Sequence, residues 1–227
     1  MSTPPLTATS YAVLGLLSIK PWSSYELTQQ MDRSLGRIWP RAVSKLYEEP
    51  KKLASHGLAR SAIQQNGRRR RTVYTITAQG RRALAGWLGQ PGDGPALEFE
   101  QLLKVLFAEN GTTADLLATL AAAQAWAQAR CAESLAVGEQ YRTGSGPFPG
   151  RLPELQLTSR FLTDFYLLVG QWARWAATIV ETWPDDPRHA THDPQVIAET
   201  IRRATDGASP PAAISLFDPA PERHRPS

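Results

Sequence analysis

The chain has 227 residues, 42% of them apolar and 20% charged, which is the composition of a folded globular protein with room for one large domain or two small ones. Its single cysteine, Cys131, excludes an intrachain disulfide and a cysteine-based metal cluster, and no apolar run approaches the length of a membrane span. The net charge of +4 is unevenly divided: Met1 to Gln90 holds 14 Lys and Arg against 4 Asp and Glu, a net +10, and the remainder holds 11 against 17, a net −6, so a polyanion partner is expected for the first segment.

The opening stretch, MSTPPLTATSYAVLGLL, has no basic leader and an early break in its apolar run. It does not read as a signal peptide, and a cytoplasmic, reducing compartment is expected. Thr9 to Ile19 reads as a short buried helix ended by Pro21. Ser23 and Glu26 have the spacing of a capping box that opens a second helix, with Leu27 and Met31 on its buried face. A third helix is predicted from about Arg41 to His56. Val43, Leu46 and Leu53 would face inward, and Arg41, Ser44, Lys45, Lys51 and Lys52 outward. Pro50 falls inside it and predicts a bend, or a restart at that residue. Gly57 is the stop.

Leu58 to Gln65 is a candidate strand, Asn66-Gly67 a hairpin turn, and Thr72 to Thr77 a returning strand rich in β-branched residues. Four consecutive arginines, Arg68 to Arg71, lie between that turn and that strand. Thr77 then caps a fourth helix, AQGRRALAGWL. Three helices, a hairpin and a further helix spell a winged helix-turn-helix. The fold expected is mainly α with a small β wing, followed by a helical domain.

Three stretches together resemble the PadR family of bacterial transcription regulators: YAVLGLLSIKPWSSYEL, LYEEPKKLASHGLA and RRRTVYTITAQGRRALAGWL. The resemblance covers roughly Thr7 to Leu88, and includes Tyr47 six residues before Leu53. It departs at Ser24-Tyr25, where the family usually has Gly-Tyr, and at Pro50, where it usually has Leu. It implies a homodimer joined through a helical C-terminal domain, and usually repression.

The DNA contacts follow from chemistry. A hairpin tip is narrow enough for a minor groove, whose negative potential suits arginine, so Arg68, Arg69, Arg70 and Arg71 are expected there or on the flanking phosphates. The third helix is expected in the major groove, with Arg41 and Lys45 reading guanine edges and Ser44 on a base or a phosphate. Lys51 and Lys52 are expected on phosphates. Tyr47 and Tyr25 suit either phosphate contact or packing.

Gln90 to Ala96 is rich in Pro and Gly and reads as a linker. The organisation expected is a DNA-binding domain at 1–90, a linker at 91–97, a helical dimerisation domain at 98–184 and a Pro-rich, largely flexible tail at 185–227 with a short helix from Pro194 to Thr205. Phe99, Leu102, Leu103 and Leu106 share a helical face that Asn110-Gly111 stops, and Thr113 to about Arg142 reads as a long helix. Phe161, Phe165, Leu168, Trp172, Trp175 and Ile179 are spaced 4, 3, 4, 3 and 4, a heptad-like stripe that a small helical domain cannot cover alone. A subunit interface is the expected cover.

Some PadR relatives bind flat hydrophobic compounds between subunits, which makes Trp126 and Trp172 candidates for an effector pocket; plain interface core is the competing reading. His189 and His192 lack a cysteine or a metal-ligand pattern, and no metal or cofactor is expected. No catalytic motif appears, so an enzyme is not expected. The competing function is a winged helix that binds protein without an operator. A protein-binding role has no need of +10.

Overall fold

The computed structural model describes residues 5–40, 43–66 and 69–207, and of residues 43–46, 66 and 69 the backbone only. The chain divides into two compact units, Met1–Ala96 and Leu97–Ser227.

The first unit begins with α1, Ala8–Ile19. Thr7 accepts from the Ser10 amide, and the Ser10 hydroxyl accepts from the Thr7 amide, a reciprocal cap. Val13, Leu14, Leu16 and Leu17 are buried. The connection to α2 (Ser24–Gln30) contains a two-residue strand, β1, Trp22–Ser23. The Trp22 indole N–H donates to the Leu16 carbonyl at 2.8 Å, satisfying a group that the helix end leaves unpaired. Lys20 lies over the Trp22 ring, 4.0 Å from its centroid. Ser23 and Glu26 form the expected capping box, and Leu27 and Met31 are buried as expected. A π-helical turn, Met31–Leu35, ends α2, and Trp39 ties the following segment to α1 by donating to the Thr9 hydroxyl at 2.9 Å.

The third helix, α3, spans Val43–Ser55. It runs through Pro50 rather than restarting there, and the Pro50 ring is fully buried. Gly57 ends α3 at φ 71, with the Leu58 amide donating to Leu53 and the Gly57 amide to Ala54, a Schellman stop. Strands β2 (Ala59–Asn66) and β3 (Arg69–Ile76) pair antiparallel in a register running from Ala59–Ile76 to Asn66–Arg69. β1 pairs on the other edge of β3, so the sheet order is β1-β3-β2. Val73, Tyr74 and Ile76 are buried, which seats β3 on the core.

Thr77 caps α4, Ala78–Leu88, and also donates its hydroxyl to the Gly57 carbonyl at 2.7 Å. Gly80 lies so close to the Leu58 carbonyl that a Cβ would collide with it. Tyr11 of α1 stacks on Trp87 of α4 with ring centroids 5.1 Å apart.

The second unit opens with α5, Glu100–Leu106, and a 3-10 turn at Ala108–Asn110. The apolar face expected there is not covered: Leu102, Leu103 and Leu106 are exposed. Two long antiparallel helices follow, α6 (Thr113–Arg142) and α7 (Leu152–Val180). Thr112 and Asp115 box the start of α6, and Thr113 bonds to the carbonyls of Pro184 and Asp185. Leu116 and Leu120 of α6 and Val180 of α7 form one apolar cluster, with Trp172 and Trp183 packed against it. At Gly170 the helices approach closely: a Cβ there would meet the Ala127 Cβ at 3.3 Å. A last helix, α8, spans Pro194–Gly207. Among the described residues, no helix is long and apolar enough to cross a membrane.

Candidate nucleic-acid interface

Arg41 and Arg68 lie outside the described residues, as do the side chains of Ser44, Lys45 and Arg69. Ser44 and Lys45 fall in the first turn of α3, and Arg69 opens β3. Tyr25, the second residue of α2, is 62% exposed, and its hydroxyl accepts from the Gln29 amide group at 2.7 Å. Tyr47 is partly exposed on α3.

The four remaining cations differ from one another. Lys51 is exposed and lies 3.0 Å from the Glu48 carboxylate one turn back, whose hydrogen bond raises its pKa. Lys52 was expected to be exposed and is not: its side chain and that of Glu49 are each 14% exposed. Its ammonium lies 3.6 Å from Glu49 and donates to the Ser10 hydroxyl at 3.2 Å, and that hydroxyl donates to Glu49 at 2.7 Å. The three groups form a nearly buried polar knot between α1 and α3. Helical position alone could not show it, because position 52 turns toward α1.

Arg71 lies 3.4 Å from Glu26, across 45 residues of sequence. The same carboxylate accepts the Ser23 amide and hydroxyl at 2.8 and 2.7 Å. The Ser23 amide, then its hydroxyl, and to a smaller extent the Arg71 charge, lower the Glu26 pKa. Arg70 is exposed. Sequence reasoning found Glu26 only as a cap and missed Ser10 and Glu49 altogether. Glu26 carries a signal, the capping-box spacing, but its second partner is brought to it only by the β1–β3 pairing.

On α7, the heptad stripe splits into two rows. Phe161, Leu168 and Trp175 are 64, 61 and 49% exposed, and Phe165, Trp172 and Ile179 are half-buried. The inward face is instead Tyr166, Val169, Gly170 and Ala173, turned from the stripe by one residue. The two candidate effector tryptophans stand in separate aromatic groups. Trp126 makes edge contacts with Phe165 and Tyr166, and Trp172 with Phe99. An open cleft between α5 and the start of α6 is lined by Leu103, Lys104, Phe107, Asp115 and Leu116, and by neither tryptophan.

A short helical core with a hairpin wing on a three-stranded antiparallel sheet defines a winged helix-turn-helix protein. Residues 13–86 match the Transcriptional regulator PadR-like family, and this part of the chain is a PadR-like domain. The chain is 36% identical over 80 residues to the negative transcriptional regulator PadR of Bacillus subtilis, an overlap of 34% of this chain and 43% of that one. It is 32% identical over 85 residues to a probable transcriptional regulator of Mycobacterium tuberculosis, covering 37% and 45%. The chain thus spans less than half the length of the curated relatives it matches. The crystal structure of Bacillus subtilis PadR in complex with operator DNA superposes with a TM-score of 0.66 at 22% identity, over 77% of this chain and 99% of that one. The same protein solved with p-coumaric acid gives 0.61 at 21%, over 79% and 99%. At these identities the likeness is one of fold.

Proposed function

We propose that this chain is a sequence-specific DNA-binding transcriptional regulator that works as a homodimer and represses by occupying an operator. The observation that carries the proposal is the arginine-bearing hairpin: β3 opens with three consecutive arginines at the far end of the sheet from the core, on a segment whose net charge is +10. In this reading α3 enters the major groove. Arg41, Ser44 and Lys45 lie at its leading end, Tyr47 and Lys51 contact the backbone, and Tyr25 meets a phosphate from α2. Arg68, Arg69 and Arg70 reach the minor groove. Lys52 stands apart because it is nearly buried between Glu49 and Ser10, and Arg71 because Glu26 of another element faces it, whereas Lys51 pairs only with its exposed neighbour Glu48.

The exposed row Phe161, Leu168 and Trp175 supports a second copy as the cover of α7, since apolar patches of this kind are rimmed for protein contact. Two copies suit two half-sites about one helical turn, ~10 bp, apart or a multiple of it. The Bacillus subtilis relative is a negative regulator and has been solved with operator DNA and with p-coumaric acid, which favours repression and control by a small aromatic effector here. Trp126 and Trp172 are the proposed contacts for such a compound.

The test is a mobility-shift titration of the full chain on the DNA upstream of its own gene and on an unrelated duplex, across a salt series. Log affinity should fall linearly with log salt, by about 0.9 per phosphate contacted. Absence of binding to either duplex at low salt would leave a protein-binding winged helix in its place.

A further inference from the structure

The wing carries its arginines in an unbroken run, yet they do not stand in the same surroundings. Arg70 is exposed and forms no ion pair with any described residue. Arg71 is 42% exposed at its side chain and lies against Glu26, itself 38% exposed. Glu26 divides its two oxygens. Oε2 accepts the Ser23 amide and hydroxyl and so closes the cap of α2; Oε1 faces the Arg71 guanidinium.

Sheet register explains how these residues meet. Ser23 stands opposite Val73, and Arg71 is two residues before Val73 on the same strand. Side chains two apart on a strand share a face. β1 ends at Ser23, so past this point β3 has lost its partner on that edge. The Glu26–Arg71 contact continues the edge where backbone pairing stops. It joins the root of the wing to the helix that precedes α3.

We propose that Arg71 anchors the wing rather than contacting DNA, and that Glu26 is the positioning residue that holds it, fixing the direction of the hairpin relative to α2 and α3. The wing's reach into a groove then depends on a carboxylate that never touches DNA. This rests on the DNA-binding reading for its consequence, but the anchoring itself is a property of the free protein.

The experiment uses the full chain and the variants Arg70→Ala, Arg71→Ala, Glu26→Gln and the double variant Glu26→Gln/Arg71→Ala. Gln retains an oxygen for the cap, so Glu26→Gln removes the ion pair while α2 stays closed. The first readout is amide hydrogen exchange of the β2–β3 hairpin without DNA. Glu26→Gln and Arg71→Ala should each speed it roughly two- to fivefold, the size a half-exposed ion pair supports, and the double variant should be no faster than either. Arg70→Ala should leave it unchanged. Unchanged exchange in both Glu26→Gln and Arg71→Ala would overturn the anchor.

The second readout is binding to a duplex enriched from a random pool by the wild-type chain, and to an unselected duplex. Arg70→Ala should reduce the salt slope by about 0.9. Arg71→Ala and Glu26→Gln should leave the slope unchanged and lower the preference for the selected duplex severalfold. A loss of about 0.9 in the slope for Arg71→Ala would make it a phosphate ligand and overturn the assignment. If the wild-type chain binds no duplex, the DNA-binding reading fails, and the exchange data still decide the anchor.

Discussion

Lys52 and Glu49 face each other at 3.6 Å on one turn of α3, both 14% exposed, with the Ser10 hydroxyl of α1 bonded to each. A cation that the helix would otherwise present to solvent is turned into a fastener between two helices. Lys52→Met keeps most of the side-chain volume and removes the charge, leaving Glu49 under-satisfied in a nearly dry site. The variant should lose about 1–3 kcal/mol of unfolding free energy in a urea melt. Its salt slope on DNA should match the wild type.

Among the described glycines of the first unit, Gly80 leaves the least room for a Cβ. A methyl group there would strike the Leu58 carbonyl and the Ile76 side chain. Neither neighbour can yield easily, since Leu58 closes the Schellman stop and Ile76 is buried in β3. Gly80→Ala should therefore destabilise by about 1–3 kcal/mol, although alanine ordinarily favours a helix. Thermal unfolding followed by circular dichroism reads this directly.

The exposed row on α7 gives a test of assembly. Phe161→Glu with Trp175→Glu places charge on two exposed apolar sites while leaving the inward residues Tyr166, Val169 and Ala173 untouched. Sedimentation should show a change from two chains to one, with unaltered helical content. Operator affinity should fall sharply with the loss of the second half-site. A doubled mass in the variant would move the interface elsewhere.

Two helix caps contribute to the response to acid. Glu26 and Asp115 both have lowered pKa values, in each case mainly through hydrogen bonds from the capping residue, Ser23 or Thr112. A carboxylate with a depressed folded pKa contributes stability that is complete above its ordinary value, 4.5 for Glu26 and 3.8 for Asp115. That contribution is lost as pH falls through the depressed value. Replacing both with their amides, Glu26→Gln and Asp115→Asn, should flatten the decline of stability below about pH 4.5. Chemical denaturation at a series of pH values measures the slope.

Much of the first unit was legible in the sequence because its punctuation is local. The Ser23–Glu26 box, the Thr77 cap of α4 and the Gly57 stop each depend on residues three or four apart. The long α6 was legible from its alanine-rich composition and few helix breakers. What was not legible depends on distant partners. β1 is two residues long and carries no pattern; it exists because β3 supplies the hydrogen bonds. Lys52 was expected on the outer face because periodicity cannot say that α1 lies beside it. The α7 stripe was read from its large residues, Phe161, Phe165, Leu168, Trp172, Trp175 and Ile179. The helix turns inward instead the smaller Val169, Gly170 and Ala173, which let α6 come close. Pro50 was expected to bend α3 or restart it; the helix continues through it without a restart, with the ring buried.

The strand order β1-β3-β2 has a further meaning for how the domain is made. β3 is the middle strand, yet it is the last of the three to be synthesised. Until it arrives, Trp22 has no strand to lie against and β2 has no neighbour on either edge. A nascent chain halted in the hairpin therefore displays an uncovered indole and an unpaired edge, the features that quality-control proteases and chaperones engage. β3 is thus the strand on which the rest of the unit closes, through Val73, Tyr74 and Ile76.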